Sequence, residues 1–227
     1  MGHMIELKAA DGTTFPAYVA QPTGQPKGGL VVLQEIFGVN SHIRSVADGY
    51  AADGYFVVAP ATFHRVQPGV ELGYSEAEMG TGFGFKTAVD GLPAPGVMGD
   101  IQAAIDHASQ AGKVGIVGYC WGGLLTWRAA CTLRGLSAAA PYYGGGMTAA
   151  ADAAREPTVP VMVHFGDQDH WIPMDTVEVF KKAQPAVAVH VYAANHGFNC
   201  DQRGSYNQAA ATLARERTLA FFGQHIG

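Results

Sequence analysis

A cysteine framed by glycines is the strongest chemical signal in the sequence. The segment Gly118-Tyr119-Cys120-Trp121-Gly122-Gly123 follows an apolar run at 114–117 and precedes a helical pattern. A nucleophile on such a strand-to-helix turn has a strained backbone, and the glycines around it let strand and helix approach closely. The helix N-terminus favours a thiolate, and the N–H of Trp121 can face an oxyanion. The pattern predicts Cys120 as the nucleophile of an acyl transfer.

Two other interpretations of this segment are weaker. A lone cysteine is commonly a buried, inert residue, but the flanking glycines favour the nucleophile. A dinucleotide-binding turn needs the spacing Gly-x-Gly-x-x-Gly, which Gly115, Gly118 and Gly122 do not match. Cys131 and Cys200 have no such framing, and we interpret both as inert.

Acyl transfer by this kind of turn also needs an acid and then a histidine, each in a loop after a later strand. Asp167 and Asp169 follow the apolar run at 161–165, and His196 follows a later run. His196 is the predicted general base, and either aspartate can fix its tautomer. His170 is a competing base, but its position beside the acids suits it better to lining the site.

The loop after the run 30–33 reads Gln34-Glu35-Ile36-Phe37-Gly38-Val39-Asn40. This loop is where a second oxyanion donor is expected, so the N–H of Ile36 is the candidate. A carboxylate at the end of an apolar strand is expensive to bury without a partner. Glu35 is therefore either a solvated loop acid or a residue that points into the site and exchanges a proton with Cys120.

The elements that must position these residues alternate along the chain. Five short runs are apolar on both faces, as central parallel strands require, at 30–33, 56–59, 114–117, 161–165 and 187–192. Helical patterns are found at 41–53, 98–111, 122–134, 174–183 and 205–223. Ser41 is a candidate N-cap, and Asp11-Gly12 within 5–21 predicts an antiparallel hairpin at the sheet edge. The order predicts a doubly wound, mostly parallel α/β sheet with helices on both faces.

Residues 60–97 interrupt this alternation with many prolines and glycines. A long irregular segment inside a compact domain is usually functional, so we expect a substrate-facing loop or cap. The length of 227 residues suits one domain, over 4–227. Met1-Gly2-His3 before Met4 is typical of an added N-terminal extension, which we expect to lie outside the fold.

Composition narrows the function. A net charge of -5 is the wrong sign for binding nucleic acid, and no apolar stretch is long enough for a membrane span. Three cysteines without Cys-x-x-Cys spacing favour a reducing cytoplasmic location and offer no zinc motif, so neither a metal nor a cofactor is expected. A small molecule is the expected partner of a monomer or homodimer.

Together these motifs resemble the dienelactone hydrolase (carboxymethylenebutenolidase) family of α/β-hydrolases. The resemblance rests on 34–40, the elbow at 118–122, Gly166-x-x-Asp169-His170 and His196-Gly197-Phe198, in that order. It implies an α/β-hydrolase fold and hydrolysis of lactones or small carboxylic esters through a thioester. The implied roles are Cys120 as nucleophile, Asp169 rather than Asp167 as acid, His196 as base, Glu35 as activator of the thiol, and the N–H groups of Ile36 and Trp121 as oxyanion donors.

The sequence departs from the best-known members of this family, which bind the carboxylate of a dienelactone with arginines. Lys86 is the one basic residue in 66–99, and Arg65 and Arg203 are the nearest substitutes. Aromatic residues could make the site apolar, above all Phe37, Tyr143, Trp171 and Phe198. We therefore expect less charged lactones or esters as substrates.

Two other functions are open at this point. A non-catalytic small-molecule binding or sensor protein could keep the same fold. A thiol-based redox protein is disfavoured because no resolving cysteine lies near Cys120 in the sequence.

Overall fold

The computed structural model describes residues 2–227, and its strands form one eight-stranded sheet. The strands are β1 (His3–Lys8), β2 (Thr14–Ala20), β3 (Gly29–Leu33), β4 (Phe56–Pro60), β5 (Val114–Tyr119), β6 (Leu136–Tyr142), β7 (Met162–Gly166) and β8 (Ala188–Tyr192). The helices are α1 (Ser41–Ala52), α2 (Glu76–Asp90), α3 (Gly96–Ala108), α4 (Trp121–Thr132), α5 (Ala150–Ala153), α6 (Met174–Ala183) and α7 (Gln208–His225), and a 3₁₀ turn (Ser109–Ala111) follows α3. Within residues 2–227, no helix combines the length and the apolar character that a membrane crossing needs.

The sheet confirms the predicted fold class. Strands β3 to β8 run parallel, and every residue of β3, β4 and β5 is buried, as expected for strands covered on both faces. Strands β1 and β2 form the predicted antiparallel hairpin at one edge. Gly12 has a φ of 90° in its turn, where the N–H of Thr13 donates to Asp11 Oδ1 at 3.0 Å.

The strand order β1-β2-β4-β3-β5-β6-β7-β8 reverses direction at β3. The connection through α1 leads from β3 to β4, whereas the connection through α3 leads back across β3 to β5. Because such crossovers are right-handed, α1 and α3 lie on opposite faces of the sheet. The loops after β3 and β5 therefore leave the sheet in different directions, and a crevice opens between them at the carboxyl ends of the strands.

The segment 60–97 is more regular than its composition indicates. It contains all of α2, which begins with a capping box in which the hydroxyl of Ser75 accepts from the N–H of Glu78 and the Glu78 carboxylate accepts from the N–H of Ser75. The expectation of an irregular loop is wrong for this part, because the cap and the packing of α2 outweigh the low helix propensity of its three glycines. Gly82 packs against the loop after β3: a Cβ there would lie 2.2 Å from the carbonyl oxygen of Ile36.

Three smaller expectations also need correction. The N-cap of α1 is Asn40, whose side chain accepts from the N–H of Ile43 at 3.2 Å, and Ser41 is the first helical residue. Strand β6 is absent from the predicted set because its sequence, Leu-Ser-Ala-Ala-Ala-Pro-Tyr, lacks the β-branched residues of a typical strand. His3 lies inside the fold, since it pairs with Val19 in the hairpin.

The glycines of α2 give a stability test with a matched control. Gly80 and Gly84 are exposed, and an added Cβ would meet no atom within 4 Å, so Gly80→Ala and Gly84→Ala should each raise the free energy of unfolding by about 0.5–1 kcal/mol. Gly82→Ala should lower the free energy of unfolding, because its Cβ would press on Ile36. Urea denaturation followed by circular dichroism measures all three variants. Equal stabilisation by all three would show that α2 does not pack on the loop after β3.

Candidate active site

Cys120 occupies a strained turn between β5 and α4. Its φ of 56° and ψ of -119° are unusual for a residue with a side chain, and its N–H donates to the carbonyl oxygen of Tyr142 at 3.1 Å. A Cβ on Gly118 would lie 2.2 Å from the carbonyl oxygen of Gly122, and a Cβ on Gly122 would lie 2.3 Å from that of Gln34. Both glycines are therefore needed for the backbone contacts that hold the thiol at the crevice.

The histidine and one aspartate meet beside this turn. His196 Nδ1 lies 2.7 Å from Asp169 Oδ2, and the N–H of Trp171 donates to Asp169 Oδ1 at 2.8 Å. Both members of the pair are buried, whereas Asp167 and His170 are exposed. The structure thus brings Asp169, and not Asp167, to the histidine.

The surroundings of His196 stabilise its cationic form. Burial by itself lowers the pKa of this imidazole, but the negative charge of Cys120 and the hydrogen bond to Asp169 outweigh it and raise the pKa to about 10. At neutral pH the ring is therefore an imidazolium. A cation beside a cysteine favours the thiolate, which is the nucleophilic form of the sulfur.

The two residues predicted to supply oxyanion donors line the same pocket. Ile36 lies in the loop after β3 and Trp121 is the first residue of α4, and both line the pocket that contains Cys120. Neither N–H has a protein acceptor within residues 2–227. Free donors beside a nucleophile can stabilise a developing oxyanion.

Glu35 is buried and paired, so the interpretation of a solvated loop acid is wrong. Its Oε1 accepts from Arg203 Nη1 at 3.2 Å, and the side chains are 2% and 18% exposed. Burial lowers the pKa of Arg203, but the charge of Glu35 outweighs it and keeps that pKa above its usual range. The guanidinium also lies over the rings of Phe37 and Tyr74, at 5.5 and 6.0 Å from their centres. Glu35 Oε2 is buried without a hydrogen-bond partner in the described chain.

The pocket above Cys120 has a volume of about 210 Å³ and a mainly apolar wall. Its lining residues come from the loops after five strands and from α2: Ile36, Phe37, Met79, Phe83, Lys86, Cys120, Trp121, Gly145, Gly146, Trp171, His196 and Arg203. Phe83 and Trp171 stand at the surface with ring centres 5.7 Å apart. Lys86 Nζ donates to Asp90 Oδ2 at 2.7 Å, and Asp90 Oδ1 accepts from the indole N–H of Trp121 at 3.1 Å.

Three residues expected to bind substrate lie elsewhere. Arg65 makes two hydrogen bonds to Asp100, at 2.8 and 2.7 Å, and one to Asp11 at 2.8 Å, which anchors its guanidinium away from the pocket. Tyr143 and Phe198 are fully buried, and the ring of Tyr143 packs edge-on against the ring of His196 at 5.2 Å. Tyr143 therefore packs against His196, Phe198 packs against Tyr143 at 5.1 Å, and neither ring lines the pocket.

Met79 and Lys86 are pocket residues that the sequence analysis did not assign to substrate. Both belong to α2, a helix that was not predicted because of the many glycines and prolines in 60–97. The pattern Ser75-x-x-Glu78 was the signal that could have revealed this helix, because it is the sequence signature of a capping box.

Comparisons with known proteins identify the family of this chain. The model of the dienelactone hydrolase family matches residues 15–226. The chain belongs to the dienelactone hydrolase family. The carboxymethylenebutenolidases of Pseudomonas putida and Pseudomonas knackmussii are each 34% identical to it, over 96% of this chain and 94% of theirs. These matches confirm the family resemblance and make the protein a hydrolase of the class that acts on ester or lactone bonds.

Solved structures place this dienelactone hydrolase family member in the α/β-hydrolase fold. A candidate dienelactone hydrolase from Klebsiella pneumoniae is 31% identical, with a TM-score of 0.83 over 99% of this chain and 100% of that one. A dienelactone hydrolase-like promiscuous phosphotriesterase from metagenomic libraries is 21% identical, with a TM-score of 0.76 over 100% of this chain and 99% of that one. The second likeness concerns the fold alone.

The ionisation of His196 gives a test that does not depend on any substrate. A histidine NMR titration should place its midpoint near pH 10. Cys120→Ala and Asp169→Asn should each lower that midpoint, because each removes an anionic neighbour. Cys131→Ala is the control and should leave it unchanged. A midpoint near the ordinary value of about 6.5 in the unsubstituted protein would contradict the imidazolium.

Proposed function

We propose that the protein hydrolyses lactones or small carboxylic esters with a Cys120-His196-Asp169 triad and a thioester acyl-enzyme. The observation that carries the proposal is the strained Cys120 turn next to the His196–Asp169 pair, whose Nδ1 and Oδ2 atoms lie 2.7 Å apart. The same constellation acts in acyl transfer on several unrelated folds.

In the first half of the reaction, the Cys120 thiolate attacks the carbonyl carbon of the substrate. The carbonyl oxygen becomes an oxyanion, which accepts hydrogen bonds from the N–H groups of Ile36 and Trp121. The bond from carbon to the leaving oxygen then breaks, and that oxygen takes the proton from the His196 imidazolium. A thioester remains on Cys120, and in a lactone the leaving oxygen stays attached to the acyl chain.

In the second half, neutral His196 takes a proton from a water molecule that attacks the thioester. The carbon–sulfur bond breaks, the carboxylic acid leaves, and the thiolate is restored beside the imidazolium. Asp169 holds Nδ1 of the ring throughout, so that Nε2 handles the proton. We also propose a reducing cytoplasmic setting, since a thiol nucleophile must stay unoxidised to react.

Glu35 is the proposed activator of the thiol. Its carboxylate is held by Arg203, and its second oxygen is buried without a partner in the described chain, so it has one free acceptor position inside the protein. A ligand that contacts Arg203 in the pocket would loosen this pair and free the carboxylate to accept the proton of the Cys120 thiol, which it returns when the product has left.

The acyl-enzyme step separates this function from the alternative of a binding or sensor protein. Mixing the protein with an aryl ester and quenching with acid should give a mass increase equal to the acyl group on Cys120. Cys120→Ala should lower kcat/KM at least a thousandfold, since a triad acts as a unit. Cys131→Ala is the matched control and should keep full activity. Ligand binding with neither product nor acylation would support the non-catalytic alternative.

The proposed substrates carry no charge near the reacting carbonyl. The arginine and the lysine of the pocket wall are already paired within the protein, Arg203 with Glu35 and Lys86 with Asp90. A carboxylate on the substrate would have to displace one of these partners, whereas a neutral ring contacts the apolar wall directly.

Two lactones with the same ring, one with a free carboxylate and one with its methyl ester, test this preference. The neutral lactone should have a kcat/KM about tenfold higher or more. Asp90→Asn should raise kcat/KM for the charged lactone selectively, because it frees Lys86 while an amide oxygen can still accept from Trp121. A preference of the unsubstituted enzyme for the charged lactone would contradict the proposed substrate class and leave the triad untouched.

A further inference from the structure

A second group of reactive side chains lies outside the triad, where the start of α1 meets the segment after His196. One ring nitrogen of His42, the sulfur of Cys200 and a carboxylate oxygen of Asp201 all lie within 4.8 Å of one another. His42 and Cys200 are buried, and Asp201 is exposed. His42 Nδ1 and Asp201 Oδ1 are 3.0 Å apart. The mechanism proposed above uses none of these side chains.

The donor set and its spacing suit a metal ion. Imidazole nitrogen, thiolate sulfur and carboxylate oxygen are the three ligand types of protein-bound zinc, with bond lengths of about 2.0–2.3 Å. Tetrahedral ligands at that range are about 3.3–3.8 Å apart, so atoms within 4.8 Å of one another can reach a common centre through side-chain adjustment. A thiol ligand also selects against Mg²⁺ and Ca²⁺, which take oxygen ligands.

Two further observations concern this place. His42 is only 3% exposed, and among residues 2–227 the one polar contact of its side chain is that of Nδ1 with Asp201, because Nε2 is buried without a hydrogen-bond partner. A cavity of about 210 Å³, separate from the pocket of Cys120, opens beside His42 and Asp201 and gives an ion a path from solvent.

We propose that His42, Cys200 and Asp201 bind one Zn²⁺ ion or a similar thiophilic divalent ion, with the remaining coordination position open to this cavity. Burial and the charge of Glu35 raise the pKa of Cys200 to about 12, so the group is a thiol before the ion arrives. Binding forms the metal–sulfur bond, and the thiol proton passes to solvent.

The ion would fasten the segment that carries Arg203. Asp201 contacts His42, the neighbouring Gln202 accepts from the hydroxyl of Ser41 at 3.1 Å, and Arg203 pairs with Glu35. A metal ion bound by His42 on one side and by Cys200 and Asp201 on the other would fix the start of α1 against the segment 200–203. The expected effect is a higher melting temperature with Zn²⁺ than without it.

Co²⁺ is the probe, because cobalt bound to a thiolate in a four-coordinate site absorbs visible and near-ultraviolet light. The experiment uses the double variant Cys120→Ala/Cys131→Ala, in which Cys200 is the only thiol. One equivalent of Co²⁺ should produce a sulfur-to-cobalt absorption band, and Zn²⁺ should abolish it. Cys200→Ala in the same background should remove the band, and His42→Ala should weaken binding.

Asp201→Asn keeps the test decisive if the buried variants fold poorly, because Asp201 is exposed. It should weaken Co²⁺ binding about tenfold or more, whereas the exposed control Asp175→Asn should not change it. Absence of the band at one equivalent, its survival in Cys200→Ala, or an unchanged affinity in Asp201→Asn would each overturn the proposal. None of these outcomes bears on the triad.

Discussion

Direct contact of backbone with backbone at the end of β5 holds the reactive groups together. Gly122 lies so close to the loop after β3 that a Cβ would be 2.3 Å from the carbonyl oxygen of Gln34 and 2.7 Å from that of Leu33. Gly123 packs equally closely on the end of β6, because a Cβ added to it would lie 2.5 Å from the carbonyl oxygen of Tyr142. Because no side chain separates these segments, Ile36, Cys120 and Trp121 line one pocket.

The chain that follows these contacts also positions His196. The chain after β6 continues into Tyr143, whose φ of 35° and hydrogen bond to the carbonyl oxygen of His164, at 2.7 Å, turn its ring towards His196. His196 is therefore held by the ring of Tyr143 on one side and by Asp169 on another. Little movement is left to its imidazole ring.

Charge around the pocket is balanced internally. Arg203 and Lys86 each have a carboxylate partner from the protein, and of the first pair Glu35 is buried and Arg203 is part-buried. Loss of Arg203 would leave the buried Glu35 carboxylate without its charged partner, so the two residues depend on each other. Gly197, with a φ of 78°, makes room for the pair, because a Cβ there would lie 2.5 Å from Arg203 Nη1. Stability and substrate preference are thus linked through one short segment that also includes Cys200 and Asp201.

The sequence by itself determined the alternation of strands and helices, the edge hairpin and the order of the Cys120, Asp169 and His196 motifs. These features follow from local patterns, because periodicity and glycine framing act over a few neighbouring residues. Local patterns also explain what the sequence did not predict, namely helix α2 and strand β6. Strand β6 has a weak local propensity and forms because the rest of the fold buries it, whereas α2 forms through its capping box and the close packing of Gly82 on the loop after β3.

Only the tertiary structure decided which side chains meet. Arg65 stands close to the pocket residues in sequence but pairs with Asp100, whereas Arg203 reaches Glu35 across 168 positions. His42 and Asp201 meet across 159 positions. Contacts at such separations depend on the reversal of strand order at β3 and on the packing of loops above the sheet, and no local pattern in the sequence specifies them.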